Sequence, residues 1–291
     1  MSTTSSIQRR DFRHFERLRV RWAEIDAQKI VFNGHYLAYV DTAVGGYWRA
    51  LALPYAETME QLAGDLFVRK STLEYLGSAR YDDQLDIGVR TLKIGNSSMT
   101  IQAAVFRGEE LLVHGELVYV FADAASQVPK AVPQALRSAI EAFEAGEAMV
   151  TVKLGEWSAL GGDAQRIRQQ VFVDEQKIPA EMEWDAADEG CLHAVAYNRF
   201  GRALATGRLL EHVPGVAKVG RMAVLRGMRS GRIGREVLDA LMREGRVRGY
   251  REVLLHAQLS ALNFYLRAGF VERGERFEEA GIGHVEMVRG L

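Results

Sequence analysis

Residues 36–51 of this 291-residue chain run Tyr-Leu-Ala-Tyr-Val-Asp-Thr-Ala-Val and on to Leu51, apolar on most sides. A helix without a broad polar face cannot lie on a surface, so other structure must enclose it. The segments after it supply the enclosure. Strand-like segments are expected over 66–76, 84–94, 97–106 and 110–121, joined by turns such as Ile94-Gly95-Asn96 and Arg107-Gly108-Glu109. Short turns between successive strands predict antiparallel pairing. Ahead of the helix, Leu18, Val20 and Trp22 alternate with Arg17, Arg19 and Arg21, which predicts a strand over 15–22 with one buried face. A turn-rich segment, 24–34, then leads into the helix.

The second half has another rhythm. A closing helix is expected over 129–145, and Gly146 begins a short connector, so the domains are expected to span 1–146 and 147–291. Beyond it we expect strands at 150–154, 193–197, 203–210, 217–225, 252–257 and 284–288. Helices are expected at 163–174, from 234 to about 248, and at 261–268. Strands with intervening helices indicate an α/β domain beside the α+β first half. No internal repeat links the two halves, and the length suits two separate cores.

Apolar residues make up 48% and charged residues 26%, with a formal net charge of −1, so any anionic ligand must be met locally. Cys191 is the lone cysteine, which excludes an intramolecular disulfide. The opening MSTTSSIQRRDF lacks the apolar core of a signal peptide, and no apolar run approaches the ~20 residues of a membrane span. A cytoplasmic protein with no membrane span is the expectation.

Asp26 sits in the turn between strand and enclosed helix. A helix start offers unpaired N–H groups that polarise a carbonyl oxygen, and a neighbouring carboxylate can serve as nucleophile or general base. The alternative is an N-cap or solvated loop residue. The run Arg21-Trp22-Ala23-Glu24-Ile25-Asp26, then Val31-Phe32-Asn33-Gly34-His35-Tyr36, resembles the hotdog acyl-CoA thioesterases of the 4-hydroxybenzoyl-CoA and YbgC/FadM type. Residues 74–85 and 110–116 extend that resemblance, which covers about 15–121. It implies an antiparallel sheet wrapped around a long helix. It also implies a catalytic Asp26, a backbone N–H near Asn33 that polarises the thioester, and a homodimer or higher oligomer. The family usually has glycine where Lys29 stands and proline where Ala79 stands.

The second constellation is a strand running into the basic loop Arg229-Ser230-Gly231-Arg232-Ile233-Gly234 and then a helix. Backbone N–H groups at such a helix start cradle phosphate. Arg226, Arg229, Arg232, Arg235, Arg243, Arg246, Arg248 and Arg251 also admit a nucleic-acid reading, but interleaved aromatic residues are missing, and no nucleic-acid partner is expected. The loop, with 171–176, Asp185, Asp188, His193, 257–270 and 280–287, resembles GNAT acyltransferases of the ElaA-like branch, over about 150–288. The resemblance implies coenzyme A as acyl carrier, with its pyrophosphate on 229–234. Main-chain groups of Met222, Ala223 and Val224 would meet the pantetheine, Asn263 would face the cofactor, and Tyr265 would act as general acid toward the departing thiolate. A core aromatic is the alternative for Tyr265. No base for the amine is assigned. His193, His256, His284 and Cys191 lack short metal-ligand spacing, and no metal is expected.

The expectation is thus a bifunctional protein that hydrolyses acyl-CoA and transfers an acyl group, acetyl in the first instance, to an unknown amine. The alternative is that one domain is a catalytically silent acyl-CoA sensor regulating the other.

Overall fold

The computed structural model describes residues 7–291. The chain divides into two compact units between Met149 and Val150.

The first unit holds strand β1 (His14–Arg19), helices α1 (Asn33–Ala50) and α2 (Tyr55–Gln61), strands β2 (Asp65–Tyr75), β3 (Gln84–Ile94), β4 (Ser98–Arg107) and β5 (Glu110–Ala122), and helix α3 (Gln134–Ala145). The strands form one five-stranded sheet in the order β1-β3-β4-β5-β2. Every pairing in it is antiparallel. The helix α1 lies against β1, β3 and β4 and buries Tyr36, Tyr39, Val40, Ala43, Val44, Tyr47 and Trp48. That is the helix-in-a-sheet arrangement the resemblance implies. Gly46 makes a close approach possible: a Cβ there would stand 2.6 Å from Nε2 of His14 on β1.

Three details differ from the sequence reading. The first strand stops at Arg19; Val20 N–H still meets the carbonyl of Asp83 (2.9 Å), and a 3-10 turn, Trp22–Glu24, then replaces the strand. Trp22 therefore leaves the expected buried face; it is 75% exposed and packs edge-on against Tyr81. The last helix starts only at Gln134, since Pro129 is bridged to Ala122 and Pro133 occupies the N-cap.

The second unit contains β6 (Val150–Gly155), α4 (Trp157–Arg168), α5 (Ala180–Glu183), β7 (Leu192–Asn198), β8 (Ala203–Val213), β9 (Val216–Val224), α6 (Ile233–Val247), β10 (Glu252–Gln258), α7 (Leu262–Arg267), β11 (Val271–Glu279) and β12 (Ile282–Gly290). They build a seven-stranded sheet, β11-β12-β10-β9-β8-β7-β6. Helix α4 packs on β7 and β8, and α6 on β7, β8 and β9. The core gathers Leu160, Ala164, Ile167, Val171, Phe172, Val195 and Ala223. Sequence reading missed β11: its residues, VERGERFEE, are exposed throughout and carry no buried stripe. The helix expected over 163–174 begins at Trp157 and, past Arg168, widens into a π-helical turn, Gln169–Glu175.

Candidate functional site

In the first unit, the turn that carries Asp26 closes on itself. Asp26 N–H donates to Ile30 O (2.9 Å), and its Oδ1 accepts from Gln28 N–H (2.8 Å). The carboxylate therefore caps its own loop and not α1. The N-cap of α1 is Phe32, with no side chain bonded to the helix start; His35 N–H donates to Phe32 O (2.9 Å), which leaves the N–H groups of Asn33 and Gly34 for a carbonyl oxygen. Asn33 is the first residue of that helix, and its own carbonyl accepts from Tyr75 Oη at 3.1 Å. Lys29 adopts φ = 61°, the left-handed conformation that glycine enters at least cost. Ala79 is fully buried and uses both backbone groups: its N–H donates to Tyr36 Oη (2.8 Å) and its carbonyl accepts from Val31 (2.9 Å). A proline there would lack the first bond. Glu24, the other acid of the motif, is buried and accepts from Arg21 and from Tyr39 Oη (2.7 Å), a bracing role.

In the second unit, the parallel pairing of β9 with β10 lasts for three residue pairs, Val216 to Lys218 against Glu252 to Leu254. Beyond them the strands part, and the β10-facing backbone edge of β9 is left without a strand partner. Arg221 marks the change with φ = 53°. A cavity of about 460 Å³ opens there, lined by Lys218, Arg221 and Met222 of β9, His256 of β10, and Tyr265 of α7 among others. Tyr265 is buried, edge-on to Phe264 and Phe270, and burial raises its phenol well above the usual range, so it keeps its proton across neutral pH.

The loop 229–234 follows the end of β9. Ser230 and Arg232 take φ values of 70° and 65°, again the left-handed conformation favoured by glycine. Arg232 is the N-cap of α6, with no side-chain cap bonded there. Gly234 lets this loop meet the strand: a Cβ would lie 3.1 Å from Val224 and 3.8 Å from Phe264. Arg229 is less free than expected of a phosphate ligand. Its guanidinium holds Glu175 in a bidentate pair at 2.6 and 2.7 Å and donates to Val224 O (3.1 Å). Ala223 is buried in the core beside half-buried Met222 and Val224, whereas Asn263 is exposed and does not line the cavity.

The family model of the thioesterase superfamily matches residues 28–114, and that of the acetyltransferase (GNAT) domain matches residues 161–291. The uncharacterized N-acetyltransferase YjcF of Bacillus subtilis is 34% identical over 128 residues, which span 44% of this chain and 90% of that protein. The chain joins a thioesterase-superfamily domain to a GNAT acetyltransferase domain. The acyl-CoA thioester hydrolase YbgC of Escherichia coli is 26% identical over 120 residues, 41% of this chain and 89% of that one. Among solved structures, a Thermus thermophilus thioesterase complexed with coenzyme A and Zn is 26% identical, covering 46% of this chain and 97% of its own, with a TM-score of 0.40.

One wall of the GNAT cavity is a charge network that sequence reading did not resolve. Arg208 forms a bidentate pair with Asp185 (2.7 Å each) and also reaches Asp188 (2.7 Å), which Arg168 holds from the other side (2.8 Å). Arg221 reaches Asp185 at 3.0 Å, and Arg168 bonds Glu183. Hydrogen bonding to Arg208 brings Asp185 down to about 2, while burial pushes Glu183 up. Asp185 and Asp188 entered the sequence reading only through resemblance; their arginine partners are 20 or more positions away in sequence.

The histidines separate. His193 bonds the Asp188 carbonyl (2.8 Å) on the core side, and His284 bonds Ile282 O (2.8 Å). Of the three, His256 and His284 line the cavity. Cys191 is buried, and burial pushes its thiol up, which disfavours a thiolate. Among the described residues no group of three His, Cys, Asp or Glu is placed to hold a metal ion. Lys218 was missed, although the signal was present: a lysine amid Val216, Ala217 and Val219 in an apolar strand.

Proposed function

We propose that the chain is a bifunctional acyl-CoA enzyme, hydrolysing thioesters in one domain and transferring an acyl group to an amine in the other. The observation that carries the transfer reading most is the opening between β9 and β10, where Tyr265 lines a cavity that adjoins exposed strand edge. Acyl-CoA would lie along Met222, Ala223 and Val224, with its pyrophosphate over the N–H groups of residues 230–234 and the start of α6. After amine attack, Tyr265 would give its proton to the departing thiolate.

Hydrolysis rests on Asp26, in the turn that leads into the uncapped start of α1. The N–H groups at Asn33 and Gly34 would polarise the thioester carbonyl, and Asp26 would activate water or attack directly. The edge strand β2 is 11 residues long and largely exposed, with Val68 53% exposed. An unpaired edge of that length favours pairing with a second copy, which supports a homodimer or higher oligomer. The cytoplasm, where acyl-CoA is made and used, is the proposed location.

Release of free thiol from a panel of short, long and aromatic acyl-CoAs tests hydrolysis. Asp26→Ala is expected to slow it by about 10²-fold or more. If wild type and variant prove equally inert across the panel, the hydrolytic assignment fails. Tyr265→Phe is expected to lower amine-dependent thiol release and to leave acetyl-CoA's protection against thermal unfolding intact.

A further inference from the structure

The chain has seven lysines against a large excess of arginine. Lys29, Lys70, Lys93, Lys153 and Lys177 are exposed, and Lys130 gives its Nζ to the carbonyl of Ala63 (2.5 Å). Lys218 differs from all of them: it is half-buried on β9 and lines the cavity with Tyr265. Its Nζ lies 3.5 Å from Nδ1 of His256 on β10. No carboxylate among the described residues forms an ion pair with it. His256 faces two carboxylates, with Glu286 Oε2 3.9 Å from Nε2 and Glu279 Oε2 3.8 Å from Nδ1. The amine thus stands against an imidazole, the pairing of nucleophile and base, with the carboxylates beyond it at ion-pair and not hydrogen-bond distance; Glu286 also accepts from Arg273 Nε (2.6 Å).

The surroundings favour the uncharged forms of the first two. Burial lowers the Lys218 ammonium from its ordinary range; Arg208 and Arg221 add to that, while Glu279 and Glu286 oppose it. Burial also lowers His256, with Lys218 and His284 acting the same way and Glu279 and Glu286 against. A neutral amine can attack, and a neutral imidazole can accept a proton.

We propose that the GNAT domain acylates its own Lys218, with His256 as the base. The inference rests on the reading that this domain binds acyl-CoA. The lone pair of Lys218 Nζ adds to the thioester carbonyl carbon; the N–C bond forms as the C–S bond breaks. An Nζ proton passes to Nδ1 of His256, the coenzyme A thiolate takes a proton from Tyr265, and solvent returns the proton from His256 to Tyr265. The balance is amine plus thioester giving amide plus thiol. The product amide is uncharged and occupies part of the cavity, so the modification would report acyl-CoA supply at the transfer site itself.

The test incubates the full chain with excess acetyl-CoA and reads each lysine by peptide mass spectrometry, with thermal stabilisation by acetyl-CoA measured in parallel. Lys218 is expected to gain an acetyl group faster than the five exposed lysines, at a rate independent of protein concentration. His256→Gln is expected to slow it by about 10²-fold, with the thermal stabilisation unchanged. Should that variant lose its circular dichroism signal, Glu286→Gln serves in its place, with a smaller slowing. Stabilisation without acetylation of Lys218, or acetylation no faster than at exposed lysines or indifferent to these variants, overturns the proposal alone. Absence of stabilisation by acetyl-CoA overturns the acyl-CoA reading as well.

Discussion

Asp185 ties two arginines of the GNAT cavity wall, and its titration gives that wall a pH dependence. Hydrogen bonds from Arg208 hold its folded-state value near 2, whereas an unperturbed aspartate titrates at about 3.9. Its folded value is the lower one, so its contribution is fully present above about pH 4 and is lost as pH falls toward about 2. The urea midpoint of the wild type should fall across that window. Asp185→Asn should be less stable at pH 6 and show a shallower fall between about pH 4 and 2. A slope equal to the wild type's would remove Asp185 from the account. At this same scale lies what the sequence hid. Asp26 and Tyr265 were singled out through family resemblance, carried by the residues that flank each of them in sequence. The Arg168, Arg208 and Arg221 network and the Lys218 to His256 approach join residues from different strands and helices, and no local pattern records such a pairing. Lys29 was legible as a departure from glycine, and the backbone shows why glycine suits that place: like Ser230 and Arg232 in the second unit, it has positive φ.

At the scale of elements, sequence patterning succeeded where burial alternates or is total. The strand β3, buried through its middle, runs Gln84–Ile94 as expected, whereas α1 is a helix as expected but buries one face only: Leu37, Ala38, Asp41, Thr42 and Arg49 are exposed, so its apolar sides overstated the enclosure. Patterning failed where burial is one-sided or nil: β11 has no buried residue, and α2 is a single short helix after Pro54. Neighbouring glycines in α1 now make opposite predictions. Gly45 is exposed, and a Cβ added there would meet nothing within 4 Å, while Gly46 faces the side chains of His14 and Glu16. Gly45→Ala should stabilise the thioesterase domain by about 0.5–1 kcal/mol, since alanine loses less backbone freedom on folding. Gly46→Ala should destabilise it by about 1–3 kcal/mol, because the His14 ring and the Glu16 carboxylate must give way to the new Cβ. Urea unfolding with unchanged m-values would test both, and a common sign for the two variants would contradict this packing.

For the whole molecule, the issue is whether two folds on one chain are also two folding units. Each has its own sheet and its own buried core, the first around α1 and the second around α4 and α6. A boundary between Met149 and Val150 cuts neither sheet, because α3 ends at Ala145 and β6 begins at Val150. We therefore propose that residues 150–291 fold alone and keep the acyl-CoA site. All the cavity residues lie within that fragment, so a ligand that binds only the folded form should stabilise it as it does the same domain in the full chain. Acetyl-CoA at a hundred times its dissociation constant would contribute about 2.7 kcal/mol in both settings. Differential scanning calorimetry of fragment and full chain, with and without acetyl-CoA, reads this directly. An equal upward shift of one transition supports independent units; a fragment without a cooperative transition means that the GNAT domain depends on the first 149 residues to fold.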